Sequence, residues 1–480
     1  MLTYQMFIGG KWTSGTGTAV IEVSNPATNE IFATVPKATK EDIDNAVQAA
    51  DQAFLKWSKL TVFQRGDYLR KASLIVLSRA EELAKLMTQE QGKPFKEALG
   101  EVKKGAEILR YYAEEGERVY GKIIPNAEPN TESRVIYQPM GVAVSISPWN
   151  YPIELIAWKV GGALAAGCTS ICKLPSETPL SPMEFLRCIQ DAGIPDGVIN
   201  AITGSGAEIG KILMDHPKVK KVAFTGSTAT GKIILANSVN TLKKVSLELG
   251  GSLPMIITKN ADLDAAVAGA TRRSFRNMGQ ICIAINRIYV DESIYEEFLR
   301  RFVVSTQKLT IGNGLIEDVD LGPMCQVKGI EKIKNQIDDG LKKGARLLIG
   351  GKKPERLVST NGNYFEPSIL ADVNHEMLVM NEETFGPLVG VMPFKSLSEA
   401  VRLANDTVYG LAAMVYSNDL SEVEMLSKEL QAGNVAVNNP DAGVINAPYG
   451  GWKDSGFGHE HGSEGLFEYL YTKHIRVKYL

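Results

Sequence analysis

Five short β-branched runs decide the fold: GVAVSISP (141–148), TSICKL (169–174), VINAIT (198–203), KVAFTG (221–226) and KVSLEL (244–249). Helix-like stretches separate them, and their starts recur at intervals of about 22 to 29 residues. A parallel strand needs a crossover that returns the chain to the same end of the sheet, and this spacing supplies one. The expected fold is therefore α/β, with a doubly wound, Rossmann-like sheet. A second series follows, with PMIITK (254–259), RIYVD (287–291), RLLIGG (346–351) and NVAVNN (434–439) alternating with helices, which predicts a second α/β domain. No repeat, low-complexity tract or long linker intervenes, so the boundary near Gly250-Gly251 should be tight. Upstream, the apolar spacing from Ile43 to Trp57 predicts an amphipathic helix capped by a Thr39-to-Asp42 arrangement. Two more helices are expected around Tyr68 to Met87 and Phe95 to Tyr112, parted by Gly92-Lys93-Pro94.

At 480 residues the chain is too long for one ordinary hydrophobic core, so two or three domains are expected. With 44% hydrophobic and 22% charged residues it is neither disordered nor membrane-spanning in composition. Its 52 basic and 55 acidic side chains leave a net charge of -3, which favours neither nucleic acid nor an anionic membrane as partner. The start, MLTYQMFIGGKW, does not resemble a signal peptide, and no run reaches the ~20 apolar residues that cross a bilayer, so a cytoplasmic location is expected. The five cysteines, Cys168, Cys172, Cys188, Cys282 and Cys325, form no CxxC pair, so free thiols are expected and no metal site.

Four stretches carry chemistry-bearing residues. Cys282 lies in FRNMGQICIAINR, where the preceding Gly279-Gln280 permits close approach of backbone to a ligand. A thiol is intrinsically nucleophilic once a base or backbone donors are near, although an isolated cysteine is more often a buried, inert one. Glu248, in SLELGG, leaves the sheet at its carboxyl edge, where open α/β sheets place ligands. Partial burial there suits a general base, while a surface or capping glutamate is the commoner case. Asn150, in SISPWNYP, can donate its amide to a developing oxyanion from a turn stiffened by Trp149 and Pro152; a plain turn asparagine is the alternative. FTGSTATGK, from Phe224, sets Gly226 and Ser227 between a strand and a helix, where exposed N–H groups attract phosphate, but it is not GxGxxG and is weak alone.

Together SPWNYP, LELGG, GQIC and EETFGPL resemble the aldehyde dehydrogenase superfamily in kind, order and approximate spacing over nearly the whole chain. The resemblance implies a cofactor domain (1–119 and 141–250), a catalytic domain (251–430) and a small β oligomerisation extension (120–140 and 466–480). The extension joins a hairpin around Tyr120 to Gln138 with the terminal strand in YLYTKHIRVKYL, and it implies a homodimer or homotetramer. Cys282 is then the nucleophile, Glu248 the base, and Asn150 with the Cys282 backbone N–H the oxyanion hole. Lys159 and Glu460 match positions proposed to relay a proton outward, with a plain salt bridge as the alternative. The cofactor positions carry over as Ile146, Trp149, Lys173, Gly226 and Ser227, with Glu383 for the nicotinamide ribose and Phe385 against the nicotinamide.

One departure bears on the cofactor. In KLPSETPL, counting back from Thr178-Pro179-Leu180 without a gap puts Ser176 where the family's ribose-binding glutamate belongs. A neutral hydroxyl beside Lys173 admits a 2'-phosphate, so NADP is expected with NAD tolerated. A one-residue slip onto Glu177 would restore NAD preference.

By the same resemblance the substrate channel includes Tyr151, Glu154, Leu155, Trp158, Arg276, Ile281, Ile283 and Tyr449. Arg276 holds the position that binds the substrate carboxylate in succinate-semialdehyde dehydrogenases, and it is expected to meet an anionic substrate or Glu154. That subfamily's second arginine is replaced by Trp158 and its serine by Gly462, with Ser463 alongside; His459 and His461 are further polar candidates. A small acidic semialdehyde is the expected substrate, and neutral aliphatic or aromatic aldehydes are the alternative. A CoA-acylating relative is disfavoured by Glu248, and a catalytically dead one by the intact Cys282, Glu248 and Asn150.

Overall fold

The computed structural model describes residues 1–480. An eight-stranded sheet has a parallel core whose spatial order is Lys244–Glu248, Val219–Thr225, Val142–Ile146, Thr169–Lys173 and Ile199–Ile202. Gly456–Phe457 is added antiparallel at one edge, and the hairpin Met6–Ile8 with Lys11–Thr13 at the other. The earliest parallel strand, Val142–Ile146, is central. Its successors lie to one side and the last two strands to the other, so the strand order reverses between Val142–Ile146 and Val219–Thr225. In such sheets ligands enter the crevice at the carboxyl ends of the strands flanking the reversal. All five strands have almost wholly buried faces, as parallel strands covered by helices on both sides require.

The second sheet has seven strands, in the order Arg346–Ile349, Ser368–Ala371, Leu388–Phe394, Ile285–Asp291, Leu253–Ile257, Ala412–Tyr416 and Asn434–Val437. Only the first pair is antiparallel. This sheet runs on past residue 430 to Val437. Gly250-Gly251 separates the two sheets by a few residues only, and a Cβ on Gly251 would stand 2.5 Å from the Cys282 carbonyl oxygen. The C-terminal strand Leu470–Lys478 pairs along its whole length with Thr131–Pro139, which also pairs with Lys122–Ile124.

The first amphipathic helix, Lys40–Trp57, opens on a capping box in which Thr39 and Asp42 bond each other's backbone N–H. Between the first and last of the three expected helices the structure differs. There are two helices, Val62–Ser78 and Ala80–Gln91, broken at Arg79 (φ -105°, ψ 12°), before Phe95–Gly116. No glycine or proline marks the break. Arg79 instead pairs with Glu82 and with Glu184 on the helix Leu180–Asp191, contacts that periodicity does not reveal. No helix is long and apolar enough to cross a membrane.

Candidate active site

Cys282 sits on the loop between the helix Leu263–Phe275 and the strand Ile285–Asp291. Three successive residues there, Asn277, Met278 and Gly279, have φ of 48°, 57° and 66°. The left-handed run turns the chain sharply, and the last position must be glycine, because a Cβ would lie 2.2 Å from the Gly386 carbonyl oxygen. Side chains fix the loop: Asn277 Nδ2 donates to the Asn150 carbonyl at 3.0 Å, and Gln280 Oε1 accepts from the Cys325 N–H at 3.0 Å.

Asn150 follows the strand Val142–Ile146, and the same network anchors it. Buried Lys93 Nζ donates to the Asn150 carbonyl at 2.7 Å and pairs with equally buried Glu101 at 2.5 Å. Glu101 in turn accepts the Ile153 and Glu154 N–H groups, capping the helix Pro152–Ala166 from a neighbouring helix. The Asn150 amide donates one N–H to the Gln280 carbonyl at 2.9 Å, which leaves its second N–H free.

Two cavities meet at the thiol. One, of about 430 Å³, is lined by Trp149, Gly226, Ser227, Gly250, Glu383 and Phe385; the other, of about 390 Å³, by Tyr151, Glu154, Trp158, Arg276, Ile281, Ile283, Tyr449 and Glu460. Cys282, Asn150 and Leu155 belong to both, and Glu248 faces the second. The structure thus brings Asn150, Glu248, Glu460 and the expected substrate residues to cavities that share one sulfur atom, while Lys159 lines neither and reaches them through Glu460.

Burial pushes the Cys282 thiol up to about 12, so it rests protonated, with Tyr449 Oη 3.9 Å from Sγ. Glu248 ends the strand Lys244–Glu248, register partner of Thr225, and neither of its carboxylate oxygens has a protein partner. Burial first, and then Glu460, raises it well above the usual carboxylate range. Lys159, on the helix Pro152–Ala166, bonds Glu460 at 2.5 Å and Thr225 Oγ1 at 2.6 Å. Reciprocal backbone bonds tie Glu460 to Tyr449.

In the first cavity Trp149 and Phe385 stand edge to face with centroids 5.5 Å apart, and Glu383 accepts the Gly251 N–H at 3.1 Å. Ser227 caps the helix Thr228–Ser238 by accepting the Thr230 N–H. Ile146 and Lys173 are register partners at the ends of adjacent strands, outside the walls of that cavity. Lys173 Nζ has no hydrogen-bond or ion-pair partner, and it points where Gly206 opens the helix Gly206–Asp215, 3.8 Å from a Cβ built there. Ser176 donates to the Gly204 carbonyl at 3.3 Å, so hydroxyl, ammonium and helix N-terminus gather in one place. Glu177 is engaged elsewhere, accepting from Gln326 at 2.5 Å.

One expectation is corrected. Arg276 does not pair with Glu154; its Nε donates to Glu97 Oε1 at 3.1 Å, and Tyr151 Oη donates to the same oxygen at 2.8 Å. Glu97 projects from the helix Phe95–Gly116 opposite the thiol loop, a pairing between distant segments that no local spacing signals. Both Nη groups of Arg276 are left without a protein partner. Arg273 also lines this cavity and was missed, although its i,i+3 relation to Arg276 was visible; it bonds the Pro440 carbonyl and Asp441.

A thiol between a crevice at the carboxyl ends of the strands and an arginine-bearing cavity, with a buried unpaired carboxylate and a spare amide donor, can form and hydrolyse an acyl-sulfur bond. The sequence model of the aldehyde dehydrogenase family matches residues 12–475. The chain belongs to the aldehyde dehydrogenase family. This aldehyde dehydrogenase is an oxidoreductase acting on aldehydes. It is 43% identical over 475 residues to a mitochondrial succinate-semialdehyde dehydrogenase of Oryza sativa subsp. japonica, covering 99% of this chain and 89% of that protein. It is 41% identical to the NADP(+) succinate-semialdehyde dehydrogenase GabD of Escherichia coli (strain K12), covering 98% and 97%. A crystal structure of succinate-semialdehyde dehydrogenase from Burkholderia pseudomallei superposes with a TM-score of 0.97 at 40% identity, covering 100% of this chain and 98% of that one.

Proposed function

We propose that this enzyme oxidises a short aldehyde bearing an acidic group, of the succinate semialdehyde class, to the corresponding acid with NADP or NAD. The observation that carries this reading is Arg276: its charge lies in the cavity that reaches the thiol, with one edge on Glu97 and both Nη groups open to a carboxylate. Trp158 and Tyr151 are the aromatic residues that would suit a neutral substrate, and the Trp158 ring face is covered by the His461 imidazole at 3.6 Å.

In this mechanism the thiol proton of Cys282 passes to solvent water, the sulfur bonds the aldehyde carbon, and the carbonyl electron pair moves onto oxygen. The free N–H of Asn150 and the Cys282 backbone N–H receive the oxyanion. A nicotinamide held in this crevice would supply the hydride acceptor for that carbon. Trp149 and Phe385 would hold its ring and Glu383 its ribose, and the crevice beside Cys282 has the walls and the phosphate-facing Ser227 turn for such a group. A thioester on Cys282 remains. Glu248 then takes a proton from water, which attacks the acyl carbon; the C–S bond breaks, the Cys282 sulfur leaves as thiolate to be reprotonated, and the acid is freed. Its raised pKa suits proton acceptance, and Lys159 with Glu460 provides the next acceptor outward. Since Cys282 and Glu248 are both pushed up, turnover should rise with pH above neutrality.

NADP is favoured because the unpaired Lys173 ammonium and the Ser176 hydroxyl, which donates to the Gly204 carbonyl, lie at the N-terminus of the helix Gly206–Asp215, while Glu177 is held by Gln326. A homo-oligomer is supported by the open outer edges of the strands Lys122–Ile124 and Leu470–Lys478, which expose Ile123 and Tyr471. Five unpaired thiols accord with a cytoplasmic location. The test is Arg276→Ala: kcat/KM for 4-oxobutanoate should fall about 10- to 100-fold, the worth of a charged hydrogen bond, with little change for butanal. Equal losses on both aldehydes would refute the acidic substrate.

A further inference from the structure

His461 lines the same cavity as Cys282 and has no part in the steps above. Its backbone is at φ 58°, ψ 174°, a conformation that glycine takes freely and side chains avoid, and Gly462 follows at φ 57°. Strain of this kind persists only where surrounding contacts over-determine it. Here the imidazole is clamped on both faces, against Trp158 at 3.6 Å and 15° and against Tyr449 at 4.8 Å and 18°. It therefore cannot rotate.

Its protonation is fixed as well. Nδ1 lies 3.1 Å from the Val444 carbonyl oxygen, which can only accept, so Nδ1 carries the hydrogen. Nε2 has no protein partner and presents a lone pair. Burial lowers the group to about 3, so the ring stays neutral across the physiological range. An immobile acceptor thus stands in a cavity whose other polar wall groups include Arg273 and Arg276 together with Glu154, Glu248, Asp441 and Glu460.

We propose that His461 is a specificity-determining residue that accepts a hydrogen bond from a hydroxyl on the substrate's carbon chain, so that the preferred acidic aldehyde is a hydroxylated one. Tyr449 Oη is 3.9 Å from the sulfur, and the Tyr449 ring is the one that stacks on His461. The imidazole is thus one ring removed from the reacting atom, and the hydroxyl belongs between the aldehyde and the acid group.

This inference rests on the proposed oxidation of acidic aldehydes. The test compares kcat/KM for 2-hydroxy-4-oxobutanoate with that for 4-oxobutanoate, in the intact enzyme with NADP. The wild type should favour the hydroxylated compound by about tenfold, the worth of one hydrogen bond. His461→Phe keeps an aromatic ring between Trp158 and Tyr449 but removes the acceptor, and it should bring the ratio near one. His461→Gly relieves the backbone and removes the acceptor, and it should do the same, which guards against a misfolded phenylalanine variant. A wild-type ratio of one or less, or a ratio unchanged in both variants, would overturn the proposal and leave His461 as packing. Failure of the wild type to reduce nicotinamide with either compound would instead overturn the acidic-aldehyde reading beneath it.

Discussion

The two cavities that meet at Cys282 are built in different ways. On the dinucleotide side a large part of the wall is made by the turns that follow strand ends: Pro148 to Asn150, Thr225 to Ser227, and Leu249 with Gly250. On the aldehyde side they are single residues from far-apart segments, held by pairs such as Arg276 with Glu97, Arg273 with Asp441 and Lys159 with Glu460. A sheet edge can bind a common cofactor with little variation, whereas paired side chains can be exchanged singly to change the substrate.

The largest expected effect removes the atom common to both. Cys282→Ser should lower kcat by a factor on the order of 10⁴ or more while nucleotide binding persists, measured by steady-state absorbance and by calorimetry with the cofactor. Turnover within tenfold of wild type would break the comparison at its centre. A smaller effect should be confined to the dinucleotide side. Ser176→Glu places a carboxylate against the 2'-phosphate and should shift the NADP to NAD ratio of kcat/KM about tenfold or more toward NAD, leaving the preference between acidic and neutral aldehydes unmoved. A change in aldehyde preference would show that the two cavities are not independent.

The smallest effect lies on the aldehyde side, in stability. His461 is neutral in the fold, lowered from 6.5 to about 3, so between those values the unfolded chain binds the additional proton. Its contribution is fully present above pH 6.5 and is lost as pH falls toward 3. The difference in Tm between wild type and His461→Phe should therefore shift against the wild type as pH is lowered through that window. A difference independent of pH would contradict the neutral imidazole.

The same contrast explains what was legible. The β-branched runs from 141 to 249, the capping box at Thr39 and Asp42, and the ends of strands at Glu248 and Thr225 are local patterns, and each has its counterpart in the structure. The break at Arg79, the partner of Arg276 and the clamped His461 depend on side chains 100 or more residues apart in the cases of Arg79 with Glu184 and Arg276 with Glu97. Periodicity carries no information about such pairs. Glu154 was the nearer candidate for Arg276 in the channel as read from the sequence, yet Glu97 wins because it approaches from the helix packed across the thiol loop, where it also accepts from Tyr151 and the Asn277 N–H.

The central claim is a transient acyl-sulfur bond at Cys282 that Glu248 is needed to hydrolyse. Glu248→Gln mixed with NADP and 4-oxobutanoate should release one equivalent of reduced nicotinamide in a rapid burst and then stall, and mass spectrometry of the quenched protein should find a succinyl group on the peptide holding Cys282. Continued turnover at the wild-type rate, or a burst with the acyl group on no residue or on another one, would contradict the account.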